Sequence, residues 1–343
     1  MIERFNVEVN IEPEKYSHVG VVTTGLVVCD IFSEQGNGME EWLTQLFEVQ
    51  TMSEQDVFTF KFQAGRQIDT TDFPRTEIVL ANKEQASINF DPSQGFLLEG
   101  PLNDINFRQR IPYLIYTLTE RIRQQKLGVV TIHGAAVAKE RRGILILGDK
   151  GVGKTSTLLW LTLENGYKMI GNDLVLLRNE EPLTLIAGSH TIDIRDCVRS
   201  KFDKLSHIKG TDNQVAGSYE RKTRVFPKDI GISTELNPVP LSMIIRINLH
   251  NDNTQLVCLR EKLPILAELL RLNENLSRYI RGVTTPLQIK NGNITGYYPS
   301  LDTKELCEMR NLMINRLINE TPFYYIFAGN FGEIARCIES LLI

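Results

Sequence analysis

The chain reads as an α/β protein whose second half is organised around one strand, one glycine loop and one helix, behind a first half of α+β type. Three observations predict this. The run Gly143-Ile144-Leu145-Ile146-Leu147 is continuously apolar, as in a strand buried on both faces. It leads directly into Gly148-Asp149-Lys150-Gly151-Val152-Gly153-Lys154-Thr155-Ser156. The segment 156–163 then turns apolar and helix-compatible, so strand, loop and helix follow one another without interruption.

The first half, 1–105, carries short β-like segments at 5–11, 19–32, 57–62, 77–81 and 86–90, with one helix expected over 39–52. Between 107 and 127, Ile111, Leu114, Ile115, Leu118 and Ile122 recur at near-helical spacing, which predicts an amphipathic helix leading into a second domain at 106–343. Pro112 falls in its first turns, where a missing N–H costs least. The segment 129–138 and the strand before the glycine loop flank the charged turn Lys139-Glu140-Arg141-Arg142-Gly143, which predicts a hairpin with His133 and Gly134 on the neighbouring strand. After the loop helix, an apolar strand over 167–177 is interrupted by Asn172-Asp173. Helices over 261–271, 303–319 and 331–342 and a strand over 323–327 complete the second half as cover on a sheet.

Composition narrows the class of protein. The 343 residues are 42% hydrophobic, enough for two cores, and the net charge is −4. No basic run interleaves with aromatic residues, so nucleic acid is not an expected partner. The five cysteines lack paired spacing, against a disulfide framework or a zinc site, and read as reduced thiols. Residues 1–10 contain no apolar signal core and no run is long enough to span a bilayer, so the expectation is a cytoplasmic protein without a membrane partner.

The glycine loop carries the chemistry. Gly148, Gly153, Lys154 and Thr155 fill the pattern Gly-x4-Gly-Lys-Ser/Thr, and Gly151 adds a further permissive position. Glycines let backbone N–H groups curl around phosphate oxygens, so 148–156, from Gly148 through Asp149, Lys150, Gly151, Val152, Gly153 and Lys154 to Thr155 and Ser156, form the expected binding site for ATP, with GTP an open alternative. Lys154 supplies a mobile charge for the outer phosphates, and the Thr155 hydroxyl is placed for Mg2+. An acid after the next strand is where a phosphate-loop enzyme sets its metal carboxylate, which points to Asp173.

The order Ile132-His133-Gly134, then Gly148 through Thr155, then Gly171-Asn172-Asp173-Leu174-Val175 resembles the catalytic domain of the HPr kinase/phosphorylase family, firmly over 129–177 and loosely beyond. The resemblance implies a phosphoenolpyruvate-carboxykinase-like, P-loop-containing domain that transfers phosphate with ATP and Mg2+. It implies that His133 lies near the transferred phosphoryl group and that Asp173 is the second acid of the family's Asp-Asp pair. The first acid, the family's base, is Asn172 here. An amide cannot take up a proton at neutral pH, so His133, Asp173 or a residue outside the motif takes that role, or base catalysis contributes little. On spacing alone, His133 reads as a buried histidine bonded to a carbonyl, and Asp173 could cap a turn.

The expected activity is transfer of the γ-phosphate to a hydroxyl of a small molecule, a peptide or a carrier protein, with catalytic residues Lys154, His133, Asp173 and Asn172. The first half is a candidate for substrate recognition, and the resemblance leaves room for a homo-oligomer. Two other readings stay open: a nucleotide-gated switch that transfers nothing, and a ligase acting through an acyl-phosphate. The cluster Glu220-Arg221-Lys222-Thr223-Arg224 reads as a solvated face or as cations near the phosphates, and Asp193-Ile194-Arg195-Asp196 as local ion pairs or a site. Trp42 and Trp160 read as core residues.

Overall fold

The computed structural model describes residues 13–34, 48–52, 55–59, 71–91, 95–208, 222–249, 256–259, 265–283, 286–296 and 298–342. The strand expected over 5–11, Trp42, Glu220 and Arg221 lie outside them. In chain order the described strands and helices begin with β1 (Ser17–Thr24), β2 (Val27–Ser33), β3 (Glu48–Met52), β4 (Gln55–Thr59), β5 (Arg75–Asn82), β6 (Ser87–Asp91) and β7 (Gly95–Gly100). Three helices follow, α1 (Ile105–Arg108), α2 (Ile111–Leu118) and α3 (Glu120–Leu127). Next come β8 (Val129–Ile132), β9 (Ala135–Lys139), β10 (Arg142–Leu147), α4 (Lys154–Glu164), β11 (Lys168–Asn172), β12 (Val175–Arg178), β13 (Thr184–Gly188) and β14 (Ile192–Arg195). The rest are α5 (Asp196–Arg199), β15 (Lys222–Val225), β16 (Val239–Leu249), β17 (Val257–Leu259), α6 (Ile265–Ser277), β18 (Gln288–Lys290), β19 (Asn293–Thr295), α7 (Lys304–Asn319), β20 (Phe323–Ala328) and α8 (Phe331–Leu341).

The described chain divides into two units. The first takes in residues up to 127 together with 277–307. Its seven-stranded mixed sheet has the order β3-β4-β1-β2-β5-β7-β6. Val22, Ile31, Ile78, Leu80, Phe96 and Leu98 from the strands share one core with Phe107, Ile111, Leu114 and Leu118 from α1 and α2, and with Ile280, Leu287 and Leu301 from the returning segment. The boundary expected at 105 is therefore displaced. The apolar stripe of 107–118 is buried against these strands, so the helical segment belongs with the first unit, and 277–307 comes back to it.

Two local expectations also change in this unit. The end of the helix expected over 39–52 is strand β3, paired antiparallel with β4 from Glu48↔Thr59 to Met52↔Gln55; Val49 and Thr51 are β-branched and suit that pairing. The single helix expected over 107–127 is three. Pro112 sits in the first turn of α2, where the helix restarts, and the Thr119 hydroxyl donates back to the carbonyls of Ile115 and Tyr116, both at 3.0 Å, at the join of α2 and α3. Just beyond, Arg123 and Glu120 are fully buried and paired at 2.9 Å. The guanidinium also reaches Thr119 Oγ1 and the Tyr116 carbonyl, so the charges are compensated on several sides.

The second unit takes in 128–276 and 308–342. Its nine-stranded sheet runs β11-β9-β10-β16-β13-β12-β8, with β20 joining β16 and β17 joining β20. β16 runs parallel to both β10 and β20. Alternate residues of β10 point to opposite faces. Ile144 and Ile146 pack with Leu158 and Leu161 of α4 and Ile334 and Ile338 of α8. Leu145 and Leu147 pack with Leu272 of α6 and with Met313 and Leu317 of α7. Helices thus cover both faces, the α/β arrangement expected for this half.

The segment 129–138 is not one hairpin arm. β8 pairs with β12, whereas β9 pairs with β10 and β11, and His133 and Gly134 form the step between them rather than part of a strand. A Cβ on Gly134 would lie 2.9 Å from the Ile146 carbonyl oxygen, so the backbone crosses close to β10 at this step.

Candidate functional site

The glycine loop sits between β10 and α4, at the end of a strand buried on both sides. Gly148 (φ 152°), Gly151 (φ 91°) and Gly153 (φ 97°) all take positive φ. At Gly148 a side chain would also meet Val152 at 2.6 Å and the Ile247 carbonyl at 2.8 Å, so only glycine fits. Val152 turns into the α4-side core, while Asp149, Lys150 and Gly151 are exposed. Lys154 is buried and folds back on the loop, donating to the carbonyls of Gly148 (2.8 Å) and Asp149 (2.9 Å). Its ammonium is thereby held at the mouth of the curl. Ser156 lies buried in the first turn of α4.

Asn172 and Asp173 follow at the end of β11. Asn172 is 1% exposed and bonded on both sides of its amide. Its Oδ1 accepts from the Thr155 hydroxyl at 3.0 Å, and its Nδ2 donates to the Thr191 carbonyl at 3.3 Å. The side chain bonded to Thr155 is thus Asn172. Asp173 turns the chain at φ 66°, a conformation that Asp and Asn tolerate better than most residues. Asp173 keeps an exposed surface, yet desolvation by the neighbouring protein raises its carboxyl pKa above the usual carboxylate range, against the downward pull of Lys154, Lys222 and Arg224. Lys154 and Asp173 therefore act on one another across the site.

His133 enters from the β8–β9 step. Its Nδ1 lies 3.0 Å from the Asp173 carbonyl oxygen. A carbonyl only accepts, so Nδ1 carries the proton and Nε2 is the acceptor nitrogen of the neutral ring. Of the readings of His133 made from the sequence, the bond to a carbonyl is present, though the residue is half-buried rather than buried, and that carbonyl belongs to Asp173.

Several contributors were not visible in the sequence. Asn275 of α6 clamps the His133 backbone, accepting from its N–H at 2.7 Å and donating to its carbonyl at 3.0 Å. The two residues are 142 positions apart, and no local pattern links them. Ser189 and Thr191, whose hydroxyls lie 2.9 Å apart, back Asn172 from the turn after β13. Of the basic cluster, Lys222 and Arg224 lie on β15 and lower the Asp173 pKa, while Arg224 also forms a fork with Asp193 at 2.8 and 3.1 Å.

Thr155, Asn172 and Asp173 offer a hydroxyl, an amide carbonyl and one carboxylate as oxygen donors, the first two in contact. Among the described residues no cluster of three or more His, Cys, Asp or Glu side chains is placed to hold a metal. Such a sparse, hard-oxygen set fits Mg2+, which keeps several waters and takes one or two protein carboxylates alongside substrate phosphates, and it does not fit zinc.

These elements define the second unit as an α/β domain with a phosphate-loop sequence. No family model matches the chain. Among curated proteins it is similar to the HPr kinase/phosphorylase of Listeria welshimeri, 28% identical over 179 residues, which covers 45% of this chain and 57% of that protein. It is also similar to the HPr kinase/phosphorylase of Bacillus licheniformis, 35% identical over 83 residues, or 23% of this chain and 26% of that one. The chain is HPr-kinase-like over the aligned part, and it spans little more than half the length of the Listeria relative. A solved structure of the HPr(Ser) kinase/phosphatase from Coxiella burnetii aligns over 62% of this chain and 93% of that one, with 15% identity and a TM-score of 0.29, too low to bear on the fold. Among the described residues no helix is long and apolar enough to cross a membrane.

Proposed function

We propose that the protein is an ATP-dependent kinase that transfers the γ-phosphate to a hydroxyl group. The observation that carries this reading is the convergence of Lys154, Thr155, Asn172, Asp173 and His133 at the end of one glycine loop, linked by the Thr155–Asn172 and His133–Asp173 contacts. The similarity to HPr kinase/phosphorylases supports a carrier protein as the acceptor, with a peptide or small molecule as alternatives. The first unit is proposed to help recognise it.

In this reading the loop backbone from Asp149 to Thr155 cradles the phosphates and Lys154 releases its hold on the loop carbonyls to neutralise the transferred group. Thr155, Asn172 and Asp173 would hold Mg2+, which supplies charge neutralisation on the phosphate oxygens when bound. His133 Nε2 takes the acceptor hydroxyl's proton as the new O–P bond forms and the bond to the ADP oxygen breaks. Asn275, by fixing the His133 backbone, positions that ring.

The burial of an amide where the family has an acid favours one second reading, a nucleotide-gated switch that binds without transfer. Incubation of the purified protein with γ-labelled ATP, Mg2+ and a pool of cell-extract proteins, peptides and metabolites separates the two. Label appearing on an acceptor, and lost in Lys154→Ala, supports the kinase. Nucleotide binding with neither transfer nor hydrolysis overturns it in favour of the switch.

A further inference from the structure

We propose that Cys258 and Cys337 form a dithiol modification site that a hydroperoxide converts into a disulfide, tying an edge strand to the C-terminal helix of the second unit. The fold brings the two thiols together from both sides. β17 pairs antiparallel with β20 in the register Val257↔Phe327, Cys258↔Ile326 and Leu259↔Tyr325. Directly opposed residues on antiparallel strands share a face of the sheet. Ile326 is buried in the core beneath α4 and α8, so Cys258 stands on the face that α8 covers. Cys337 lies on the inner side of α8 in that same core, between Ile334 and Ile338. The neighbouring Cys258 is also among the causes that raise the Cys337 pKa.

Exposure gives the two thiols different parts. Cys258 is exposed, whereas Cys337 is 7% exposed. Burial, and then the neighbouring Cys258, push the Cys337 thiol up to about 12, so it stays protonated at neutral pH. Cys258 therefore meets the oxidant first. Its thiolate attacks a peroxide oxygen, the O–O bond breaks, and sulfenic acid and water (or an alcohol) result. The Cys337 sulfur then attacks the sulfenic sulfur, losing its proton as the S–O bond breaks, and a second water leaves. Two thiols and one hydroperoxide are consumed; the peroxide is reduced and the dithiol oxidised. The other cysteines lie elsewhere: Cys29 is buried in the first unit, Cys307 belongs to that unit, and Cys197 is on α5.

The bond would have a structural reach beyond the pair. α8 begins at Phe331, whose ring stacks on Phe202 and lies 5.4 Å from Trp160 of α4, the helix that opens with Lys154. A tether on α8 thus restrains an element packed directly on the loop helix. The inference is independent of the kinase reading.

The test treats the full-length reduced protein with stoichiometric hydrogen peroxide, blocks remaining thiols, and maps peptides without reductant. A cross-linked peptide containing Cys258 and Cys337, a loss of two hydrogens in the intact mass, and reversal by dithiothreitol are expected, with none of these in Cys258→Ser. Because Cys258 is exposed, that variant should fold normally. Phenylarsine oxide, which needs two adjacent thiols, should bind the wild type once and Cys258→Ser not at all. Alkylation of Cys258 and Cys337 as separate thiols after peroxide, sulfinic acid at Cys258 without a cross-link, or a disulfide between Cys258 residues of two copies would overturn the proposal.

Discussion

Replacing Asn172 with aspartate puts an acid where an amide is bonded on both sides, and it should make the protein less stable. The amide is 1% exposed and uses both ends: its oxygen accepts from Thr155 at 3.0 Å, and its nitrogen donates to the Thr191 carbonyl at 3.3 Å. A carboxylate keeps the first bond. The second becomes an oxygen facing an oxygen, at a buried position. Losing the bond costs about 1 kcal/mol and leaving the Thr191 carbonyl opposed by another acceptor about 1–3 kcal/mol more, so Asn172→Asp should lose about 2–4 kcal/mol. Urea unfolding at neutral pH without divalent cations measures this. Saturating Mg2+ should then return more stability to the variant than to the wild type, since a ligand at about 100 times its Kd contributes roughly 2.7 kcal/mol. A variant as stable as the wild type in metal-free buffer would refute the claim that the amide's two bonds hold this site together.

Asp173→Asn should behave in the opposite sense. The folded state pushes the Asp173 carboxyl up, so that group favours folding below its unfolded pKa and loses the benefit as pH rises through the folded value. The melting temperature of the variant should therefore exceed the wild type's increasingly from acid to neutral pH, while magnesium-dependent nucleotide affinity falls; a difference flat with pH would count against it. Asn275→Ala removes two bonds to the His133 backbone and should cost about 1–3 kcal/mol, slowing transfer while nucleotide affinity, read by calorimetry, stays unchanged. Glu120→Ala leaves Arg123 buried without its carboxylate and should lower unfolding stability by about 3–5 kcal/mol, seen as an earlier denaturant midpoint.

What the sequence disclosed of this protein tracks how local each signal is. Gly148, Gly153, Lys154 and Thr155 sit within eight residues, and the strand and helix around them have unmistakable apolar patterning, so the loop was readable in place. The break at His133-Gly134 was not, because 129–138 is mostly apolar on both sides of it and both of its pieces are buried strands; only their different partners, β12 for one and β10 with β11 for the other, separate them. β16, the strand between β10 and β20, escaped notice although Met243-Ile244-Ile245 is strongly apolar, since neither a motif nor a turn dipeptide marks it. That Asn172 bonds Thr155 is not legible either, for side-chain direction at the end of β11 depends on the turn at Asp173. Asn275 carries no signal of its own.

The return of 277–307 to the first unit has a bearing on how this polypeptide comes into being. Ile280, Leu287 and Leu301 fill an interior whose other walls are made by residues more than 150 positions earlier. Those walls leave the ribosome well before this segment and must wait, with an open apolar seam, until 277–307 has been synthesised. No single cut releases either unit intact, and fragments ending near 127 should be sticky and prone to aggregate, whatever the catalytic fate of the glycine loop downstream.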